Sequence, residues 1–242
     1  MASCRCCHVF FIASPLDVEF WGVVLNSSLL FEVEGRLELR VPSEDGHGPV
    51  RAEFVEGRVG WRLRRAGRSQ AIGKAVGLKK GKPLPSVVDA TAGLGRDSAL
   101  LAVLGCNVIA FERSPEIHAL LVDGLRSAAD SDLGPLLRER IATRLGDSIE
   151  ELPTVSPGPD VVLVDPMHPN RRSKAKVRKE MRALRAVVGE DCDAKDLVAV
   201  ALSCAKDRVV VKRPAKAAPL ILAPSFQVEG KTVRFDVYLR ES

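Results

Sequence analysis

Residues 86–113, "SVVDATAGLGRDSALLAVLGCNVIAFER", decide the fold class because they change periodicity twice. Val87–Val88 and Val108–Phe111 are short apolar runs typical of buried strands. Between them, Asp97–Ser98 is suited to cap a helix that ends at Gly105. A strand, a helix and a second strand in this order predict a βαβ unit with parallel strands.

The same alternation continues toward the C-terminus. Apolar runs at 141–145, 160–164 and 208–212 predict three more strands, and the patterns over 173–188 and 194–205 predict helices. Strands that alternate with helices form a doubly wound, mostly parallel sheet with helices on both of its faces. We therefore expect an α/β fold of this class.

Three other segments alternate apolar and polar residues, and each is interrupted by Glu-Gly followed by a basic residue. They are "LLFEVEGRLELRV" (29–41), "RAEFVEGRVGWRLRR" (51–65) and "FQVEGKTVRFDVYLR" (226–240). Glycine supplies the positive φ of a tight hairpin, so all three are predicted to be β. We expect a small β-rich N-terminal subdomain over 1–65, a basic connector with one short helix over 66–85, and an α/β domain over 86–242 that ends in an antiparallel hairpin.

Charge is distributed unevenly along the 242 residues, which carry a net charge of +5. Residues 51–82 contain ten basic and two acidic side chains, and residues 171–185 contain eight basic and one acidic. The segment between them, 83–170, contains thirteen acidic and six basic side chains. The two basic blocks are either solvated faces or a surface that binds a polyanion; their density favours nucleic acid.

Apolar content and cysteine spacing exclude several other classes. No run of 18 or more apolar residues occurs, so we expect no membrane-spanning helix. Cys4, Cys6 and Cys7 with His8 are too tightly spaced for the usual C-x₂-C metal site, and no second cluster completes one. We expect no metal. The remaining cysteines are scattered through apolar runs, as in a protein of the reducing cytoplasm.

A glycine loop, residues 89–97, follows the first strand of the α/β domain. It starts with Asp89, and Gly93 and Gly95 allow the backbone to turn sharply and to approach a ligand. Glu112 ends the second strand nineteen residues after Gly93, where a carboxylate can accept hydrogen bonds from ribose hydroxyls. The dinucleotide fingerprint would need glycine where Ser98 stands. A nucleoside with a small charged tail, such as S-adenosylmethionine, therefore fits better, although turn glycines without a ligand would look the same.

The strand at 160–164 runs into Asp165-Pro166-Met167-His168, and we expect it to lie beside the first strand, on the same crevice. Asp165 and the carbonyl of Pro166 can grip the N–H bonds of an exocyclic base amine, and the carboxylate can take its proton. His168 can stack on the base. The alternative is that Asp165 caps a turn and His168 lies on the surface.

Four blocks resemble the RsmJ family, guanine-N2 methyltransferases of bacterial small-subunit ribosomal RNA. They are "VVDATAGLGRDSALLAVLGCNVIAFER", "LVDPMHP", "KEMRALRAVVGEDCDA" and "RVVVKRP", and they occur in the family's order. "DPMHP" also resembles the D/N-P-P-aromatic signature of amino-group methyltransferases. The family has Phe or Tyr where this chain has His168, and an imidazole stacks more weakly and changes charge with pH.

The resemblance implies a Rossmann-like methyltransferase that uses S-adenosylmethionine, with Asp165 at the reacting centre and in contact with the cofactor. It assigns cofactor contacts to the glycine loop and to the tips of the second and third strands: Arg96, Asp97, Glu112, Arg113, Asp147 and Ser148.

The basic blocks are expected to hold RNA phosphates around the target, with Trp61 as a stacking candidate. The expected RNA contacts are Arg62, Arg64, Arg65, Arg68, Lys74, Arg171, Arg172, Lys174, Arg178, Arg182, Lys212 and Arg213.

Three other functions stay open from the sequence. The enzyme could methylate an adenine, a cytosine or a small molecule; it could be a nicotinamide-dependent oxidoreductase; or it could be a non-catalytic RNA-binding protein. The basic blocks count against a small molecule and the missing third glycine counts against the oxidoreductase. A binding protein would not explain an acid and a histidine beside a ligand crevice.

Overall fold

The computed structural model describes residues 29–41, 48–167, 187 and 192–240. Two strands form an N-terminal hairpin, β1 (Leu30–Val33) and β2 (Arg36–Leu39). Seven strands form the main sheet: β3 (Ser86–Asp89), β4 (Asn107–Glu112), β5 (Ile141–Leu145), β6 (Val161–Val164), β7 (Arg208–Pro214), β8 (Phe226–Glu229) and β9 (Val233–Leu239).

The described helices connect these strands. They are α1 (Gly57–Arg64), α2 (Ala71–Ala75), α3 (Arg96–Val103), α4 (Pro115–Ser127), α5 (Gly134–Arg140), α6 (Ser148–Glu151) with a 3-10 turn at Leu152–Thr154, and α7 (Ala194–Cys204). Within the described ranges, no helix has both the length and the apolar character needed to cross a membrane. Apart from Val187, the helix predicted over 173–188 lies outside those ranges.

The main sheet has the order β5-β4-β3-β6-β7-β9-β8. Strands β3 to β7 are parallel, and β9 and β8 run antiparallel to them. Strand β3 lies beside β6 with Val88 opposite Val162, which confirms the predicted neighbourhood of these two strands. Because the chain leaves β3 toward β4 on one side and returns to β6 on the other, the sheet's switch point lies between β3 and β6.

Two of the three predicted hairpins are confirmed. Strands β1 and β2 turn at Glu34–Gly35, and β8 and β9 pair at the C-terminus. The β prediction for residues 51–65 is wrong, because residues 57–64 form helix α1.

Helix α1 forms because burial there follows a helical spacing. Gly60 and Leu63, three residues apart, face the core, while Trp61 is 61% exposed. The Glu53 carboxylate accepts the backbone N–H groups of Val55 and Glu56 at 2.8 and 3.1 Å, which turns the chain just before the helix. Apolar residues stand at every second position in Val59, Trp61 and Leu63, but this alternation does not reflect a strand.

The capping prediction for α3 is also wrong, although the helix is present. Gly95 occupies the N-cap position with φ +73°, and Asp97 lies in the first turn. Ser98 is buried, and its hydroxyl donates to the Asp89 carboxylate at 2.5 Å. A Cβ at Gly95 would lie 2.3 Å from the Leu121 side chain, so glycine is needed for space as well as for φ.

The core is continuous from the N-terminal hairpin to the main sheet. One cluster of buried residues contains Leu39, Phe54 and Leu63 together with Val87 and Val210. A second cluster lies where α7 packs on Val162, Val209 and neighbouring strand residues. The division of the chain at 66–85 remains a prediction.

Candidate active site

A cleft opens at the carboxyl ends of β3, β4 and β6, at the switch point of the sheet. Its empty space of about 580 Å³ includes open solvent, so it is a partly open cleft rather than an enclosed cavity. Its lining comes from four strand ends and the start of α7: Ala90, Thr91, Gly93, Phe111, Glu112, Arg113, Asp147, Ser148, Ile149, Asp165, Pro166, Met167, Asp193, Ala194 and Leu197. The glycine loop and the Asp165-Pro166 turn thus share one cleft, as expected.

Glu112 ties the second strand to the glycine loop. Its carboxylate accepts the backbone N–H of Gly93 at 2.9 Å and that of Ser114 at 2.8 Å. The side chain is buried but lines the cleft. An oriented carboxylate at this position suits the two hydroxyl donors of a ribose.

Asp165 is fixed to the glycine loop through its backbone. Its N–H donates to Thr91 Oγ1 at 2.6 Å, so the tips of β3 and β6 are joined directly. Pro166 is buried and Met167 is half-buried behind it. The turn therefore places a carboxylate on the cleft wall with little freedom to move.

Lys212 bridges two carboxylates at the edge of this cleft. Its ammonium donates to Asp97 Oδ2 at 2.6 Å and to Asp165 Oδ2 at 2.7 Å. Burial lowers the pKa of Lys212, but the two carboxylates outweigh this effect and hold it above its usual value. Asp97 also lies 3.9 Å from the guanidinium of Arg62, on α1.

Asp89 lies beneath the glycine loop and is 2% exposed. It accepts the Ser98 hydroxyl at 2.5 Å and the Thr91 N–H at 3.2 Å. Burial raises the pKa of Asp89 to about 7, and the nearby carboxylates of Asp97 and Asp165 act in the same direction. Asp89 therefore connects the start of the glycine loop to the first turn of α3.

The far end of the cleft is formed after β5 and at the start of α7. Asp147 caps α6 by accepting the N–H of Ile149 at 2.8 Å, and the Ser148 hydroxyl donates to the Ala90 carbonyl at 2.7 Å. Arg113 forms an ion pair with Asp193 at 2.7 Å. Apolar side chains from Phe111, Ile149 and Leu197 lie between these polar groups, as suits a flat base.

Four predicted cofactor contacts are not among the described residues that line the cleft: Asp89, Gly95, Arg96 and Asp97. Gly95 packs against Leu121 and Phe54, and Arg96 begins α3 half-buried.

The first basic block is exposed and borders the site. Arg58, Trp61, Arg62 and Arg65 recur at helical spacing and form what we call the basic face of α1. The Arg65 guanidinium lies over the Trp61 ring, 5.0 Å from its centroid. Arg62 connects this face to the site through Asp97.

The other expected RNA contacts differ in their surroundings. Arg64 pairs with Asp132 through two hydrogen bonds of 2.8 and 2.6 Å, while Arg68 and Lys74 are exposed. Arg213 is buried and donates to the Ala218 carbonyl, and Lys212 belongs to the carboxylate bridge. These two placements differ from the outer rim for phosphates that the sequence suggested, because each cation is directed into the protein. Their contacts with RNA stay a prediction.

Part of the predicted site lies outside the described residues: His168, Arg171, Arg172, Lys174, Arg178 and Arg182. So do Cys4, Cys6 and Cys7. Among the residues that the structure does describe, no group of three or more potential ligands is arranged to hold a metal ion.

Sequence reasoning missed three polar contributors to the cleft. Thr91 joins the two strand tips, Ser98 holds Asp89, and Asp193 pairs with Arg113. Thr91 and Ser98 lie within or next to the glycine loop, so hydroxyls there were an available signal. The sequence contains no signal for the pairing of Asp193, because its partner Arg113 lies 80 residues away in the chain.

Comparison with known proteins agrees with this geometry. The family model described as "Putative SAM-dependent methyltransferase" matches residues 23–240. A protein of Thioalkalivibrio sulfidiphilus named ribosomal RNA small subunit methyltransferase J is 46% identical over 234 residues, which are 94% of this chain and 91% of the relative. A protein of the same name from Aeromonas hydrophila is 51% identical over 84% of this chain and 83% of its own length.

A solved structure has the same fold. The crystal structure of a SAM-dependent methyltransferase from Neisseria gonorrhoeae aligns with a TM-score of 0.66 and 36% identity, over 86% of this chain and 80% of that one. These matches confirm the family resemblance, the Rossmann-like methyltransferase fold and S-adenosylmethionine as the cofactor. The chain belongs to the family of S-adenosylmethionine-dependent methyltransferases whose members are named ribosomal RNA small subunit methyltransferase J.

Proposed function

We propose that this enzyme transfers a methyl group to the exocyclic N2 of a guanine in small-subunit ribosomal RNA. The observation that carries the proposal is the shared cleft, in which the Asp165 backbone is bonded to Thr91 of the glycine loop at 2.6 Å. The methyl donor and the base amine can react only if the loop that binds the cofactor lies next to the carboxylate that binds the amine. Ribosomal RNA as substrate is supported by the names of the relatives, and guanine N2 by the resemblance to RsmJ.

The residues that line the cleft fit S-adenosylmethionine. Glu112 would hold the ribose hydroxyls, the backbone at Gly93 would allow close approach, and the walls formed by Phe111, Ile149 and Leu197 would enclose the adenine. Asp147 would accept from the adenine amine. When bound, the cofactor supplies an electrophilic methyl carbon on a sulfonium, and the electrons of the broken carbon–sulfur bond stay on sulfur.

Asp165 and Pro166 would act on the acceptor. The lone pair of an exocyclic amine is delocalised into the base, so the amine is a weak nucleophile. The Asp165 carboxylate and the Pro166 carbonyl, as acceptors for its two N–H bonds, would orient the amine and favour a localised lone pair. As the nitrogen–carbon bond forms, one N–H proton passes to the carboxylate of Asp165.

The basic face of α1 would hold the RNA strand beside the target. Arg58, Arg62 and Arg65 can contact phosphates, and the exposed Trp61 ring offers a stacking surface for an unpaired base. Arg68 and Lys74 extend the same charge, and the basic residues of 171–182 remain part of the proposal. Because its substrate would be ribosomal RNA or a ribosomal particle, we also propose a cytoplasmic location.

The test is methyl transfer from labelled cofactor to transcribed small-subunit RNA, followed by nucleoside analysis. We expect label in N2-methylguanosine. Label in methylated adenosine or cytidine would move the assignment to another base amine, and no transfer to RNA or to the assembled subunit would contradict the proposal. Stabilisation by S-adenosylhomocysteine but not by NAD in a thermal-shift assay would separate this function from the oxidoreductase.

A further inference from the structure

We propose that Lys212 is a positioning residue, which holds the Asp165 carboxylate in place for the methyl acceptor and links it to the cofactor loop. The inference rests on the proposed function, since it assigns a task within that reaction. It replaces the contact with RNA phosphates that the sequence suggested for this lysine.

The geometry joins three separate elements at one ammonium group. Lys212 lies on β7, Asp165 follows β6, and Asp97 lies in the first turn of α3, directly after the glycine loop. The two hydrogen bonds, at 2.6 and 2.7 Å, lie at the short end of the range for an ammonium and a carboxylate. Lys212 therefore fixes one oxygen of Asp165 relative to the loop that would hold the cofactor.

Burial makes this bridge more than a surface ion pair. The side chains of Lys212 and Asp97 are 21% and 12% exposed, so solvent screens their attraction only weakly. An exposed ion pair would restrain the positions of its two side chains only weakly, whereas an ion pair removed from water restrains both. Asp165 itself is 38% exposed, as a group that must reach a substrate should be.

The charges around Asp165 explain why a cation is needed. Asp89 lies beneath it on β3, Asp97 binds the same ammonium from α3, and Arg62 on α1 lies 3.9 Å from Asp97. The carboxylate of Asp97, and that of Asp89 once it is ionised, repel the charge on Asp165 and so work against the hydrogen bond and the proton that it must accept. Lys212 offsets this repulsion, because its ammonium binds one oxygen of each of Asp97 and Asp165.

The experiment compares Lys212→Met, Lys212→Arg and the control Lys216→Met on transcribed small-subunit RNA. Lys216→Met removes the same charge from the exposed segment after β7. We expect kcat of Lys212→Met to fall by about 100-fold, the cost of a misplaced reacting group. We also expect the acid limb of its pH–rate profile to move to higher pH by about one unit. Lys212→Arg should restore part of kcat and the original limb, and Lys216→Met should match the wild type.

Three results would overturn the inference. An unchanged kcat and profile in folded Lys212→Met would reduce the lysine to a structural role. A raised KM for RNA with unchanged kcat would return it to RNA binding. A lowered kcat with an unmoved acid limb and no rescue by arginine would show a packing defect. Each of these results is a comparison with a wild type that methylates RNA. A wild type without that activity would instead contradict the proposed function.

Discussion

Asp165 is held from two directions, and its role follows from that. Its backbone N–H donates to Thr91, while Lys212 binds a carboxylate oxygen at 2.7 Å. A group fixed in this way loses little entropy when a substrate binds, which is the condition for an effective acceptor.

Replacing Asp165 should separate cofactor binding from chemistry. In Asp165→Ala we expect methyl transfer to fall by about 10²–10⁴-fold, the usual contribution of a general base. The affinity for S-adenosylhomocysteine, measured by calorimetry, should change little, because Glu112 and the glycine loop remain. Activity close to that of the wild type would remove Asp165 from the mechanism.

Asp89 should make stability depend on pH in an unusual direction. Its pKa rises from 3.8 to about 7 on folding, so the folded protein keeps a proton that the unfolded chain loses in this window. Stability therefore falls as pH rises from about 4 to 7, since the unfolded state binds fewer protons there.

The test is urea unfolding of the wild type and of Asp89→Asn at pH 5 and pH 7. The free energy of unfolding of the wild type, relative to the variant, should fall by about 2 kcal/mol between these values. Asp132→Asn is the control: Arg64 lowers the pKa of that exposed carboxyl, so Asp132 is ionised in both states throughout this range. A constant difference between wild type and Asp89→Asn would contradict the account of Asp89.

At the scale of elements, the loop before α3 depends on Gly95. The residue has φ +73° and would place a Cβ 2.3 Å from Leu121. Gly35 in the β1–β2 turn has the same φ, yet a Cβ there would meet nothing within 4 Å. The two glycines therefore separate backbone strain from steric overlap.

We expect Gly35→Ala to cost about 1–2 kcal/mol, the penalty for a left-handed alanine. Gly95→Ala should cost about 1–3 kcal/mol more, from overpacking, and should weaken cofactor binding. Urea unfolding and calorimetry measure the two effects. Equal losses in the two variants would show that the space around Gly95 does not matter.

The proposed RNA contact on helix α1 can be tested simply. A base stacked on Trp61 is worth about 1–3 kcal/mol, so Trp61→Ala should weaken RNA binding by about 5- to 150-fold and leave S-adenosylhomocysteine binding unchanged. The control is Phe31→Ala, because Phe31 is a 43% exposed aromatic residue that also lies beneath an arginine, Arg40, but in the N-terminal hairpin.

A second measurement uses fluorescence. In a Trp21→Phe background, RNA should quench the fluorescence of Trp61. Equal losses of RNA affinity in both alanine variants, or no quenching, would contradict this contact.

Elements with strong local signals were predictable, and those set by tertiary contacts were not. The strands at 141–145 and 160–164 and the hairpin at 226–240 follow from runs of apolar residues or alternation, and the structure contains them. Residues 51–65 show alternation too, but the Glu53 cap and the buried spacing of Gly60 and Leu63 produce a helix. The Glu53 cap and the packing of α1 against α3 distinguish the two cases.

The same holds for the site. The placement of the glycine loop, Glu112 and Asp165 at one cleft was predictable, because strand ends in a parallel sheet meet at one edge. Their roles stay predictions.

The inward direction of Lys212 was not predictable, because its partner Asp97 lies 115 residues away in the chain. That of Arg213 depends on the backbone carbonyl of Ala218, and a carbonyl leaves no signal in the side-chain pattern. The sequence shows that these residues are basic, but it does not show that their side chains already donate hydrogen bonds to carboxylates or to a carbonyl.

Over the whole molecule, the N-terminal hairpin is fastened to the methyltransferase fold by a buried carboxylate. Asp123 on α4 accepts Arg36 at 3.2 Å, the Leu37 N–H at 3.1 Å and Arg126 at 2.6 Å. The shared core then continues into the sheet. The frame that fixes the strand tips, and with them the cleft, extends across both parts of the chain.

The central claim is that the tips of β3 and β6 bring the methyl donor and the acceptor carboxylate together. A crystal structure with bound S-adenosylhomocysteine tests it most directly. The account predicts ribose hydroxyls on Glu112, the adenine between Phe111 and Ile149, and the sulfur directed toward Asp165. A ligand bound elsewhere, or a sulfur directed away from Asp165, would contradict it.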